Sequence, residues 1–262
     1  MSAAQILISL SSFGAAEVRR HGQLYFSRLA AEAGADGVEV RGELLTDAAQ
    51  ELPALADVTL QLGLATVYSS PEGLFAADGK LDQAALQRAL AATRQLGAPR
   101  LKMSIGGYGA QSREASAAEL PALRAALQAA PGIELVIEND QTVPAGTVRA
   151  LQPFFEAAAD AALPLPLVFD LGNWHWLGEC PLQAALALGS RVGYVHCKGV
   201  QRLPAKWVAV PLADSSAAWR TVLGTLPTGV PWAIEYPLVG DDLLDVTRTQ
   251  ISTLRSVARS LA

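Results

Sequence analysis

The chain has 262 residues, 51% of them hydrophobic and 17% charged, with a net charge of −5. No apolar run approaches the roughly 18 residues of a membrane-spanning helix, and no Lys/Arg-rich run offers a nucleic-acid footprint, so the expected partner is a small molecule. Two cysteines, Cys180 and Cys197, are too few for a disulfide framework and suit a reducing, cytoplasmic setting.

The opening MSAAQILISLSSF has an apolar patch with no basic residue ahead of it, so it reads as a first strand, Ile6 to Ser12, and not as a secretion signal. Short apolar runs then recur at Gly37 to Arg41, Ala65 to Ser70, Arg100 to Ile105 and Ile133 to Glu138. Three more follow at Pro166 to Asp170, Gly193 to Cys197 and Pro231 to Glu235. Between them lie Ala- and Leu-rich stretches such as LDQAALQRALAATRQLG, whose apolar residues at i, i+3 and i+4 predict amphipathic helices. Gly34, Gly63, Gly97 and Gly132 stand where such helices end. A last helix is expected over roughly Leu243 to Leu261. Eight strands, each followed by a helix, predict a single α/β domain, a (β/α)8 TIM barrel spanning 1–262. The competing architecture is an open, doubly wound sheet. It usually carries GxGxxG after its first strand, and SSFGAAEV matches that poorly.

In a TIM barrel the loops after the C-terminal strand ends form the mouth where chemistry sits. Those ends carry charge here: Glu138 closes the fifth strand, Asp170 the sixth, His196 lies near the end of the seventh and Glu235 closes the eighth. Val136, Val168, Tyr194 and Ala233 stand two residues earlier, so the period of two aims all four at the axis. Each one alone reads equally well as a strand cap or half of an ion pair. Together, three carboxylates crowded near an axis repel one another and lose hydration. A divalent cation held by one imidazole and three carboxylates relieves both costs, and the oxygen-rich set favours Mn²⁺ or Mg²⁺ over a thiolate-bound Zn²⁺.

Other charges lie nearby. Lys102 interrupts the fourth strand and needs a partner if buried; it is either a substrate or carboxylate contact or a side chain reaching the barrel edge. Glu39 and Arg41 share one side of the second strand. Glu39 is expected in an internal ion pair, and Arg41, nearer the mouth, at an acidic group of the substrate. Lys198 shares the side of His196, where it would support a developing enolate. His175 divides evenly between pocket and surface, and Trp174 and Trp176 read first as packing residues and second as pocket walls.

The motifs IEND (137–140), FDLGN (169–173), VHCKG (195–199) and AIEYP (233–237), taken in that order, resemble the metal-site motifs of the xylose isomerase-like TIM-barrel superfamily. Their Glu, Asp, His, Glu succession resembles its D-tagatose 3-epimerase branch most. The resemblance implies one divalent metal, usually Mn²⁺ with Mg²⁺, Co²⁺ or Zn²⁺ as alternatives, held by Glu138, Asp170, His196 and Glu235. It implies that Glu138 and Glu235 double as an acid/base pair on the two faces of the substrate, that Arg202 holds substrate oxygens, and that the protein forms a homo-oligomer. Members of that branch carry a second histidine three residues after the aspartate. This chain has Asn173 there, a contact for a substrate hydroxyl that cannot carry a proton, and His175 two residues further on. The expected function is that of a metal-dependent sugar isomerase or epimerase acting on a small ketose, aldose or keto acid through an enediolate. A metal-dependent dehydratase of the inosose or dehydroshikimate type is the alternative. A phosphodiester hydrolase with a multi-zinc site needs several more histidines than the three present.

Overall fold

The computed structural model describes residues 4–261. Its strands are β1 (Ile6–Ser9), β2 (Gly37–Arg41), β3 (Ala65–Ser69), β4 (Arg100–Ser104), β5 (Glu134–Glu138), β6 (Leu167–Asp170), β7 (Val192–Cys197), β8 (Gly199–Arg202), β9 (Trp207–Val210) and β10 (Trp232–Ile234). Eight of them pair in parallel around a closed barrel, β1 through β7 in sequence and then β10, which pairs back to β1. The expected (β/α)8 barrel is therefore the observed one.

Most strand ends fall within a residue of the apolar runs, and the exceptions have local causes. β1 stops at Ser9 because Leu10–Phe13 winds into a 3-10 turn. Within that turn the Ser12 hydroxyl donates to the Ile234 carbonyl (3.1 Å), tying the turn to β10 instead of prolonging the ladder. Pro166 and Pro231 sit just outside β6 and β10. Lacking an N–H, they contribute only carbonyls, which accept from Ile137 and Val195. The hairpin β8–β9 is a real addition to the expected pattern: GVQR is half polar and WVAV is only half-buried, so neither has the fully apolar look of a barrel strand.

Leu7, Val67, Val136, Val168, Tyr194 and Ala233 fill the barrel interior as a small apolar plug. A larger core lies outside the barrel, under the helices. The helix Gln83–Leu96 shows how the sequence builds one of them. The Asp82 carboxylate accepts the Ala85 N–H at 2.8 Å to start it, and Leu86, Ala89, Leu90 and Thr93 form its buried stripe. Gly97, at φ 67°, ends it in the left-handed conformation that a side chain resists. The closing helix, Leu243–Leu261, buries Ile251, Leu254, Val257 and Ala258. Among the described residues no helix is long and apolar enough to cross a membrane. The plug is what positions the site, because the side chains one pleat above it have nowhere to point but the mouth.

Candidate metal centre

Glu138 ends β5, Asp170 ends β6, His196 lies in β7 and Glu235 directly follows β10, so the four stand on four neighbouring strands. One donor atom from each lies within 4.8 Å of the other three. His196 Nδ1 is 2.7 Å from Glu235 Oε2, 2.8 Å from Glu138 Oε1 and 3.9 Å from Asp170 Oδ2. Ligands about 2.1 Å from a common ion have separations of this size. The chemistry fits a hard or borderline divalent cation as well, with three carboxylate oxygens and one imidazole nitrogen and no thiolate.

The second heteroatom of every member is held from behind. Lys102 Nζ donates to Glu138 Oε2 at 2.7 Å. Arg41 Nη1 donates to Glu235 Oε1 at 2.8 Å. The N–H groups of Gly172 and Asn173 donate to Asp170 Oδ1 at 2.7 and 2.9 Å. Glu39 Oε2 lies 2.8 Å from His196 Nε2. A proton held on Nε2 by Glu39 leaves the Nδ1 lone pair facing the three carboxylates, the arrangement that orients metal-binding histidines. Glu39 and Lys102 are themselves buried, with Nζ 3.2 Å from Glu39 Oε1, and Arg41 Nη1 reaches the same oxygen at 3.1 Å. Lys198 differs from the other cations in touching inner oxygens: its Nζ is 2.7 Å from Asp170 Oδ2 and 3.1 Å from Glu235 Oε2.

Burial and charge compete at each group. Burial pushes the carboxyls of Glu39, Glu138 and Glu235 up, but the neighbouring charges outweigh it and hold all three below the usual carboxylate range. His196 and Lys102 act on all three, joined by Arg41 at Glu39 and by Lys198 at Glu235. Asp170 goes the other way. Burial dominates there, and despite Lys198 its pKa is pushed up to about 7. Burial lowers His196, yet Glu235, Glu39 and Glu138 more than compensate and raise it well above its ordinary value. The cluster thus holds protons that an incoming cation would displace.

The other residues singled out from the sequence divide clearly. Arg41, Lys102 and Lys198 join the cluster. Glu39, assigned above to an internal ion pair, makes that pair and also holds His196. Its same-side register with Arg41 was the signal available in the sequence, but its reach across the barrel was not. Asn173 is buried beside the cluster, accepting from Lys198 Nζ and Gln141 Nε2 (both 3.0 Å) and donating to the Asn139 carbonyl. One amide N–H therefore remains for any other partner. Arg202 stands at the exposed end of β8, over the Trp207 ring at 5.3 Å, and His175 meets the same ring at 5.0 Å. These two are tied to the hairpin and not to the four-residue cluster. Trp174 is fully buried against Phe169, a packing residue; Trp176 is half-buried in the same short helix.

Two cavities flank the cluster. One of about 300 Å³ opens beside β2–β5 and is lined by Arg41, Ser69, Ser70, Lys102, Ser104 and Glu138, among others. The other, about 260 Å³, lies behind Lys198 against Leu171, His175, Pro181, Trp219 and Val222. The first touches a candidate ligand directly and is lined largely by polar side chains; the second is walled mainly by apolar side chains.

Comparison with known proteins gives the family and the fold. The model of the xylose isomerase-like TIM-barrel family matches residues 27–255. No curated protein matches the chain in sequence. Among solved structures, an L-ribulose 3-epimerase superposes with a TM-score of 0.71 at 19% identity, over 98% of this chain and 95% of that one. The probable 3-DHS dehydratase AsbF of Bacillus anthracis, involved in petrobactin synthesis, gives 0.67 at 15% identity over 95% and 98%. A xylose isomerase-like TIM barrel/4-hydroxyphenylpyruvate dioxygenase fusion protein gives 0.75 at 16% identity, this chain spanning 42% of its length and 97% of its own.

Proposed function

The chain belongs to the xylose isomerase-like TIM-barrel family, and on that premise we propose that it is a divalent-metal-dependent isomerase or epimerase of a small ketose, aldose or keto acid. The observation that carries the reading is the convergence of Glu138, Asp170, His196 and Glu235, each with one donor atom turned inward and its other heteroatom fixed from outside. Those four would hold the ion, with Mn²⁺ as the proposed native metal. When bound, such a cation supplies Lewis-acid polarisation of a carbonyl and its neighbouring hydroxyl, which makes the intervening carbon acidic.

The chain's own residues then move the proton. Glu138 and Glu235 occupy the outer two of the four neighbouring strands, with Asp170 and His196 between them. That spacing suits one carboxylate on each side of a bound substrate. Lys102 and Arg41 keep both charged, so either can enter as the general base. Isomerisation returns the proton to the adjacent carbon from the same side; epimerisation requires delivery from the opposite side by the other carboxylate. Lys102 and Arg41 also line the 300 Å³ cavity, where they would orient substrate oxygens.

A dehydratase is the second reading, favoured by one feature. The Lys198 ammonium lies 3.1 Å from Glu235 and can donate a proton to a departing hydroxide. Incubation of metal-loaded protein with ketoses, hydroxypyruvate and inosose in D₂O separates the two readings, because product NMR distinguishes carbon-bound deuterium from loss of water. Deuterium in recovered substrate and in an isomeric product supports the first. Neither outcome with any member of the panel contradicts both.

A further inference from the structure

We propose that Asn139 is a positioning residue for the cation: its buried side-chain amide sets where the Asp170 carboxylate stands relative to Glu138. The inference rests on the metal reading above and deepens it. Asn139 directly follows Glu138, the last residue of β5, and is fully buried. Its Oδ1 accepts the Asp170 N–H at 2.8 Å, and its Nδ2 donates to the Asp170 carbonyl at 3.2 Å. One side chain thus pairs with both backbone groups of a candidate ligand. The residue beside one carboxylate holds the main chain of the next.

The need for such a clamp comes from the sheet. The β5–β6 ladder has two paired positions, Ile137 with Leu167 and Glu138 with Val168, and ends there. On its other side β6 stays paired as far as Asp170, which lies opposite His196 in β7, although the register shifts between Leu167 and Val168. Asp170 therefore reaches past its last strand partner on the β5 side, with an N–H and a C=O that need partners in a buried position. A primary amide offers a complementary C=O and N–H in one group, so the Asn139 side chain extends the ladder where the β5 backbone no longer does. The arrangement closes on itself. Asn173 Nδ2 donates to the Asn139 carbonyl at 2.8 Å, and the Asn173 N–H donates to Asp170 Oδ1 at 2.9 Å. With Oδ1 taken by Gly172 and Asn173, the direction of Oδ2 follows from the main chain that Asn139 holds. A cation that takes oxygens from Glu138 and Asp170 at once depends on the spacing of β5 and β6 at this level, and Asn139 spans it.

A side chain that only completed the fold would also cost stability when removed, so the test reads the metal. Mn²⁺ titrations followed by electron paramagnetic resonance compare the wild type with Asn139→Ala and with Ser116→Ala. Ser116 is a matched control. It is buried and holds two backbone groups, accepting the Gly109 N–H at 3.0 Å and donating to the Gly79 carbonyl at 2.6 Å, and neither of these belongs to the cluster. Asn139→Ala is expected to lower Mn²⁺ affinity by about 10- to 100-fold and to broaden the spectrum of the bound ion, while Ser116→Ala changes neither. If Asn139→Ala does not fold by circular dichroism, Asn139→Ser leaves a smaller gap and one short hydroxyl in place of the amide, and a loss in the same direction is expected. Wild-type affinity and spectrum in the folded Asn139 variant overturn the inference. So does an equal loss in Ser116→Ala, which would assign the effect to stability alone. A wild-type protein that takes up no Mn²⁺ at all overturns the metal reading instead.

Discussion

Glu39 in β2 and His196 in β7 meet across the barrel, Oε2 to Nε2 at 2.8 Å, although 157 residues separate them in the chain. The contact fixes which ring nitrogen faces Glu138, Asp170 and Glu235. Replacing Glu39 by Gln should therefore lower affinity for Mn²⁺ by about 10- to 100-fold, the usual effect of losing such an outer carboxylate. Mn²⁺ titration followed by electron paramagnetic resonance measures it; unchanged affinity would mean that Glu39 serves only its ion pairs.

Lys102 is buried and compensates Glu39 and Glu138 at once. Lys102→Ala leaves both carboxylates, Glu39 fully buried and Glu138 mostly so, without that cation. The expected loss is about 3–5 kcal/mol of unfolding free energy, read from urea denaturation of the metal-free protein. A loss within about 1 kcal/mol would show that water enters this part of the barrel freely.

Cation binding should depend on pH in a defined direction. The cation takes the deprotonated forms of Asp170 and His196, and protons compete with it. Asp170 titrates at about 7 in the metal-free protein, pushed up by burial, and His196 is raised well above its ordinary value by Glu235, Glu39 and Glu138 despite its own burial. Below neutrality both are protonated, so apparent Mn²⁺ affinity should be weak there, rise through pH 7 and continue rising above it. Titrations in weakly buffered solution near pH 6.5 should release protons. Affinity that is flat from pH 6 to 8 contradicts this order of events.

Proton transfer is the fourth test. Glu235→Gln keeps the size of the side chain but removes its basicity, and should abolish exchange of the substrate carbon-bound proton with D₂O while the fold persists by circular dichroism. Exchange at the wild-type rate would remove Glu235 from its proposed role.

Much of this site can be read along the chain, and the part that cannot has a geometric reason. Strand alternation locates Glu138, Asp170, His196 and Glu235, because each lies two residues past a plug residue and the plug must face the axis. The same parity puts Arg41 on the side of Glu39 and Lys198 on the side of His196, whereas Lys102 stands out only as a charge inside an apolar run. What parity cannot tell is which strands face each other once the barrel closes, so Glu39 reads locally as a partner for Arg41 and its bond to His196 is invisible. The hairpin β8–β9 escapes for a different reason: its strands are too short, and half too polar, to stand out from a loop. Arg202 then rides on that hairpin, against Trp207, apart from the inner cluster.

Four side chains, Glu138, Asp170, His196 and Glu235, are proposed to share one ion. Crystals soaked in Mn²⁺ and measured at the manganese absorption edge test it most directly. One strong anomalous peak is expected about 2.0–2.3 Å from Glu138, Asp170, His196 Nδ1 and Glu235. A peak elsewhere, or none at saturating Mn²⁺ with the four side chains ordered, contradicts it.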